Sequence, residues 1–165
     1  MEKPGIRISI PGFGDRAIGI VISDYTGTLS CGGKLMPGVK GKLTELMKHV
    51  DLHIITADSY GTAGSELAGT VTPYPLKKKE GQHDVEKREY AEKFDLQHVA
   101  AFGNGNNDRL LLKRVKEAGG LAIAVDNGEG CAIDALMNAH ILIAGAVNAL
   151  NLLLEPMGSK ATLRF

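Results

Sequence analysis

Short runs rich in β-branched residues alternate with helix-period segments along almost the whole chain, and no other feature restricts the possible folds as much. IRISI (6–10) and AIGIVIS (17–23) read as strands joined by the Gly-rich turn PGFGDR. In VKGKLTELMKHV (39–50), Val39, Leu43, Leu46, Met47 and Val50 recur at helical spacing and predict an amphipathic helix. The series continues with LHIITA as a strand, YGTAGSELA as a helix, VTPYPLKKKEGQ as an irregular or strand-like connection, and DVEKREYAEKF (84–94) as a helix. Then come strands HVAAFG, GLAIAV and HILIA, separated by helices DRLLLKRVKEAG and EGCAIDALMNA, with AVNALNLLLE closing the pattern. Such alternation predicts an α/β fold, a doubly wound, mostly parallel sheet covered on both faces, with an N-terminal β-hairpin. At 165 residues and 44% hydrophobic content, a single domain over 1–165 with a substantial core is expected.

Composition removes several classes of function. Lys plus Arg and Asp plus Glu are 19 each, so bulk charge favours neither nucleic acid nor an anionic membrane as a partner. The apolar tract ILIAGAVNALNLLLEPM is shorter than the ~20 residues of a membrane span and contains Asn148 and Asn151. The opening MEKPGIRISIPG is broken by Pro and Gly and does not read as a signal peptide, so a cytoplasmic setting is expected. Cys31 and Cys131 lie far apart without a CxxC or a nearby His, which suggests ordinary thiols.

In sheets of this type, ligands collect beyond the carboxyl ends of the strands. Those ends carry Asp24, Thr26, Gly27 and Thr28, then Thr56, Ala57 and Asp58, then Gly103 through Asp108, then Asp126 and Asn127. Turn residues also gather at strand ends, which gives the plainer explanation of the same cluster. GFGDRA and GNGNND both lack the third glycine of a dinucleotide fingerprint, and no Walker lysine follows either. In the 84–94 helix, Lys87 shares a face with Ala91 and Phe94, whereas Glu86 and Lys93 are assigned elsewhere. Lys87 is therefore expected to point inward from the first turn, with Asp84 as the cap; a snorkelling lysine is the alternative. Lys77, Lys78 and Lys79 read as a solvated run.

DYTGTL (24–29), the strand ending in Thr56, the isolated Lys87 and GNGNND (103–108) stand in an order and spacing that resemble the four motifs of the haloacid dehalogenase (HAD) superfamily of phosphotransferases. Thr26 stands where aspartate is usual and makes the first motif similar to the DKTGT loop of P-type ATPases; the chain as a whole resembles their soluble, P-type-ATPase-like microbial relatives. The resemblance implies a HAD-like, Rossmannoid fold and an aspartyl-phosphate chemistry with Asp24 as nucleophile. It implies Mg2+ held by Asp24, the Thr26 carbonyl and Asn104, since a carboxylate attacking a phosphate needs a cation between them. Thr56, through its hydroxyl and the adjoining Ala57 amide, and Lys87, through its charge, would bind phosphoryl oxygens of a small phosphorylated substrate. Asp108 would orient Lys87 or a metal-bound water, its alternative being an N-cap of the next helix.

Two departures bear on rate. Thr26 cannot serve as the acid and base that aspartate supplies in phosphatases, a contribution of about 10² to 10⁴, so turnover is expected to be slow. Asn104 replaces the usual aspartate and brings no charge to the ion. The short segments between Asp24, Thr56 and Lys87 leave no space for a cap domain, so an open, capless site and a homo-oligomer are expected, with the N-terminal hairpin as a docking edge. A catalytically weak phosphate-binding regulatory module is the competing reading.

Overall fold

The computed structural model describes residues 2–165. Six parallel strands form the central sheet in the order β10-β9-β8-β3-β6-β7, with β3 Ile20–Ser23, β6 Asp51–Thr56, β7 Tyr74–Pro75, β8 Val99–Gly103, β9 Leu121–Asp126 and β10 Ile141–Ala144. The chain builds outward from β3 through β6 to β7, then returns to start β8 on the other side of β3. The switch point of the topology therefore lies between β3 and β8. Two small antiparallel pairs stand outside the sheet: β1 Ile6–Ile8 with β2 Arg16–Ile18, and β4 Ser30–Cys31 with β5 Lys34–Leu35.

Period-two alternation sends consecutive side chains to opposite layers. Val21, Ile54, Phe102 and Ile123 join one core with Leu43 and Leu46 of α1 (Val39–Leu46) and Leu150 and Leu153 of α6 (Ala146–Leu154). Their neighbours Ile22, Ile55, Ala101 and Ala122 join the other, with Ala91 of α3 (His83–Ala91) and Leu111, Leu112 and Val115 of α4 (Arg109–Glu117). Strands buried on both faces need continuous apolar runs, and VAAFG in β8 is buried at every residue. Short helices α2 (Ala63–Glu66), α5 (Ile133–Met137) and α7 (Met157–Leu163) complete the fold. No helix among the described residues is long and apolar enough to cross a membrane.

The structure departs from the sequence expectation in four places. AIGIVIS divides at Gly19, because the Gly19 amide donates to the His98 carbonyl and its own carbonyl accepts from Asp51, so 16–18 pairs with β1 while 20–23 enters the main sheet. The YGTAGSELA helix contracts to one turn. Its start is held by Asp58, whose Oδ1 accepts the Thr62 and Ala63 amides at 3.0 Å each. Asp84 does not cap α3: it lies in the first turn, where Oδ1 accepts from Val85 and Oδ2 binds the Arg109 guanidinium at 3.0 Å. Finally, α7 follows α6 without an expected counterpart, anchored by the buried Ser159 hydroxyl donating to the Leu152 carbonyl at 2.7 Å.

Candidate active site

Strand register brings the polar ends together. Ser23, the last residue of β3, pairs with Phe102 of β8 and Ile54 of β6, so Asp24 emerges level with the ends that deliver Asn104 and Thr56. The Asp24 amide still donates to the Phe102 carbonyl at 3.0 Å, which keeps the residue in the sheet's frame. Beyond it, the loop is nailed down by Tyr25: the ring is buried, the hydroxyl donates to the Gly33 carbonyl at 2.9 Å, and the backbone carbonyl accepts from Thr28, Leu29 and Ser30. The bridge between Thr26 and Ser30 uses the Gly27 amide and the Tyr25 carbonyl, leaving the Thr26 carbonyl outside that pairing.

Lys87 is fully buried and reaches two carboxylates at once, with Nζ 2.8 Å from Asp24 Oδ1 and 2.7 Å from Asp108 Oδ1. It does not snorkel. Asp108 sits at the N-cap position of α4 but gives that helix no side-chain cap; its Oδ2 instead accepts the Asn104 and Gly105 amides at 3.0 Å each. With Oδ1 on Lys87 and Oδ2 on two amides, Asp108 is committed to holding the lysine and the 103–108 loop. Burial pushes the Asp24 carboxyl up to about 6, the nearby Asp108 charge adds to the rise, and Lys87 only partly offsets both. Burial alone would lower the Lys87 pKa, but the two carboxylates outweigh it and hold the ammonium charged.

Close approach explains two glycines here. A Cβ on Gly103 would meet Asp108 Cβ at 2.4 Å, and one on Gly27, at φ +77°, would meet Asn104 Nδ2 at 2.3 Å. The Asn104 amide thus lies directly against the Asp24 loop. Asn104 Nδ2 donates to the Gly130 carbonyl at 3.3 Å, which leaves Oδ1 facing Thr28, whose hydroxyl is 3.2 Å from it and 3.3 Å from Asp24 Oδ2. One carboxylate oxygen and one amide oxygen therefore flank the Thr28 hydroxyl. Among the described residues there is no group of three His, Cys, Asp or Glu arranged to hold a metal. Asp24, Asn104 and the Thr26 carbonyl would offer hard oxygens with a single carboxylate, a donor set of the kind that suits magnesium.

Thr56 ends β6 almost fully buried, and its Oγ1 accepts the Asp58 amide at 2.9 Å, so its hydroxyl hydrogen remains available to a ligand. Ala57 follows at the exposed edge. Asp58 is the one non-glycine residue among those described with positive φ, at 50°, a strained turn just where the β6 edge opens.

Residues without a sequence-level role also shape the site. Thr28 was visible only as one polar residue of the loop. Glu86, assigned away from the inward face, is buried beside Lys87 and accepts the amides of Lys77 and Lys78 at 2.8 and 2.7 Å. Burial opposes its charge, yet those amides prevail and hold its carboxyl below the ordinary range. Its partners are backbone groups, so no residue type announced the contact.

No protein-family profile and no curated protein matches the sequence. Among solved structures, the chain is similar to a 3-deoxy-D-manno-octulosonate 8-phosphate phosphatase from Moraxella catarrhalis, in complex with magnesium, phosphate and KDO, at 17% identity over 87% of this chain and 90% of that one, with a TM-score of 0.64. The cobalt-bound deoxy-D-mannose-octulosonate 8-phosphate phosphatase from Haemophilus influenzae matches at 12% identity and the same TM-score, over 90% and 94% of the two chains. A haloacid dehalogenase-like family hydrolase from Streptococcus pneumoniae matches at 14% identity and a TM-score of 0.56, over 81% and 97%. At such identities the likeness establishes architecture: the chain has the HAD-like α/β fold.

Proposed function

We propose that the protein is a magnesium-dependent phosphohydrolase of the HAD superfamily, forming an aspartyl phosphate on Asp24 and acting on a small phosphomonoester or acyl phosphate. The buried Lys87, shared between Asp24 and Asp108, carries this reading. A lysine so desolvated and so close to an edge carboxylate with a raised pKa is the arrangement expected of a nucleophile and its charge-compensating partner. The HAD phosphatase structures that share the fold, two of them metal-bound, support the reading.

Asp24 divides its two oxygens between two tasks. Oδ2 lies toward Thr28 and Asn104, where with the Thr26 carbonyl it would hold the ion; Oδ1, beside the Lys87 ammonium, is the attacking atom. Magnesium, when bound, supplies positive charge against the phosphoryl oxygens and the approaching carboxylate. Lys87, the Thr56 hydroxyl and the Ala57 amide bind the remaining oxygens and offset charge as the bond to phosphorus forms. Asp24 Oδ1 then bonds to phosphorus, the bond to the leaving oxygen breaks, and that oxygen takes its proton from solvent. Water attacks the same phosphorus in the second step, the bond to Oδ1 breaks, and inorganic phosphate departs. A cleft of about 370 Å³ lined by His83, Asp84, Asn106, Asn107 and Arg109 lies at the start of helices α3 and α4, and neither Asp24 nor Lys87 lines it.

Thr26 favours a second reading, a phosphate-binding regulatory module with weak turnover, because its hydroxyl does not ionise near neutrality. The soluble P-type-ATPase-like character of the first motif belongs to this proposal, as does a cytoplasmic setting. Colorimetric release of phosphate from an aryl phosphate, with and without magnesium, separates the two. Metal-dependent release above an Asp24→Asn control is expected; release equal to that control favours the regulatory module. Thr26→Asp should raise turnover by about 10² if the acid–base group limits the rate. An unchanged rate would remove that explanation of slowness.

A further inference from the structure

The turn that follows β9 touches both halves of the candidate metal site. Asp126 ends β9, and its backbone carbonyl accepts the Gly145 amide at 2.8 Å, which fixes the turn to the end of β10. Its Oδ1 accepts two amides further along, Gly128 at 3.0 Å and Gly130 at 3.2 Å, and so folds the turn back on itself. Asn127, buried between them in sequence, donates to the Ser30 carbonyl and accepts from the Ala146 amide, both at 3.2 Å. Glu129 accepts the Gly32 amide. These two contacts tie the turn to the β4–β5 hairpin, the continuation of the Asp24 loop.

The same turn grips Asn104. The Ala132 amide donates to the Asn104 carbonyl at 2.7 Å, while the Asn104 amide is held by Asp108 at 3.0 Å. With its backbone fixed at both ends, the remaining freedom of Asn104 is the orientation of its side-chain amide. That orientation decides whether a cation can bind. With Nδ2 on the Gly130 carbonyl, the amide oxygen faces the Thr28 hydroxyl, itself 3.3 Å from Asp24 Oδ2; flipped, it would set Oδ1 against the Gly130 carbonyl and turn its N–H donors to the side where a cation needs an acceptor.

Building on the magnesium reading above, we propose that Asp126 is a positioning residue for the metal site: by folding the 126–130 turn it places the Gly130 carbonyl to take the Asn104 nitrogen, so that the Asn104 oxygen is left on the side of Thr28 and the Asp24 loop. The role is mechanical. It depends on a side-chain acceptor at 126 and not on the charge of the carboxylate. Partners that orient a metal ligand in this way typically govern affinity by 10- to 100-fold.

Titration calorimetry with magnesium chloride alone tests this on the full chain, alongside thermal unfolding in chelator. Asp126→Ala is expected to weaken magnesium binding about tenfold. Asp126→Asn, which retains an acceptor without the charge, should bind within about twofold of the original protein on the same argument. In an Asn104→Ala background, adding Asp126→Ala should cost nothing further, since the amide it orients is gone. Should Asp126→Ala fold poorly, Asp126→Ser, with one hydroxyl acceptor, is expected to fall between the alanine and asparagine variants. The proposal is overturned if Asp126→Ala binds magnesium like the original, if Asp126→Asn is as weak as alanine, or if the loss persists in full without Asn104. Absence of magnesium binding by the unaltered protein would overturn the metal reading together with this one, whereas normal binding with an indifferent Asp126 would overturn this one alone.

Discussion

At the N-terminal ends of the strands, Lys3 meets Asp51 at 3.1 Å with 33% and 66% of the two side chains in solvent. At the C-terminal ends, Lys87 meets Asp24 and Asp108 at similar distances with none of the three side chains more than 5% exposed. The two edges thus hold the same chemical pairing in opposite dielectric surroundings. A solvated pair costs little to form and contributes little. A buried one must offset several kcal/mol of lost hydration per ion, and here two carboxylates share a single ammonium, leaving one negative charge without a counter-charge. Such an excess is a poor way to hold a fold together and a good way to hold a place for a cation. Arg16, near the N-terminal edge, makes the same point from the other side: desolvation lowers its pKa, but it is only partly covered and rests on the Gly120 carbonyl.

The largest break in this comparison should come from Lys87→Ala, which removes the cation and leaves both carboxylates buried. We expect a loss of about 3–5 kcal/mol in urea unfolding without metal, together with loss of phosphate binding. Lys78→Ala is the control, because Lys78 pairs with Glu89 at the surface and should change stability by less than about 1 kcal/mol. Equal effects of the two substitutions would mean that the buried triad is energetically ordinary.

Asp24→Asn sharpens the comparison in the opposite direction. A carboxyl raised from 3.8 to about 6 keeps its proton in the folded state over a range where the unfolded chain releases it. The stability associated with Asp24 is therefore fully present below pH 3.8 and is lost as pH rises through 6. At 1.36 kcal/mol per pH unit, the cost at pH 7 approaches about 3 kcal/mol. The asparagine variant should accordingly be inactive yet more stable than the original at neutral pH, with the gap closing toward pH 4. Asp108→Asn should not share this gain, because an amide cannot accept from Lys87 and from two backbone amides with both of its ends. A melting temperature for Asp24→Asn at or below the original at pH 7 would contradict the idea of an unpartnered charge.

How much of this was readable beforehand depended on whether the signal was periodic. β8, β9 and α4 were legible because their side chains follow the strand and helix periods, and Leu111, Leu112 and Val115 fall on one buried face. The positions of Asp24, Thr56, Lys87, Asn104 and Asp108 at one sheet edge were legible because strand ends are marked in sequence and the motif order is specific. Contacts between a side chain and distant backbone were not. Glu86 gripping Lys77 and Lys78, and Asp126 shaping the turn that holds Asn104, involve amides that every residue carries. Nor was α7, since GSKATL has a weak pattern and is fastened by Ser159 and by the Phe165 amide donating to the Pro11 carbonyl.

The smallest effect is expected at Lys3, and it tests the dielectric argument most directly. Lys3 Nζ donates to the Val50 carbonyl at 2.8 Å as well as pairing with Asp51, so its geometry is as good as that of Lys87. If distance governed the energy, Lys3→Ala would be as costly as Lys87→Ala. If solvent governs it, the loss stays below about 1 kcal/mol. Most of that loss should vanish on going from roughly 0.1 M to 1 M salt, as the screening length contracts from about 10 to 3 Å. Unfolding of the Lys3→Ala and Lys87→Ala proteins at both salt concentrations separates the alternatives: the cost at position 3 should shrink with salt, and the cost at position 87, where ions do not penetrate, should not. A salt-sensitive Lys87 would mean that the C-terminal edge is wetter than its burial implies, and the excess negative charge there would then be held by water and not reserved for a metal.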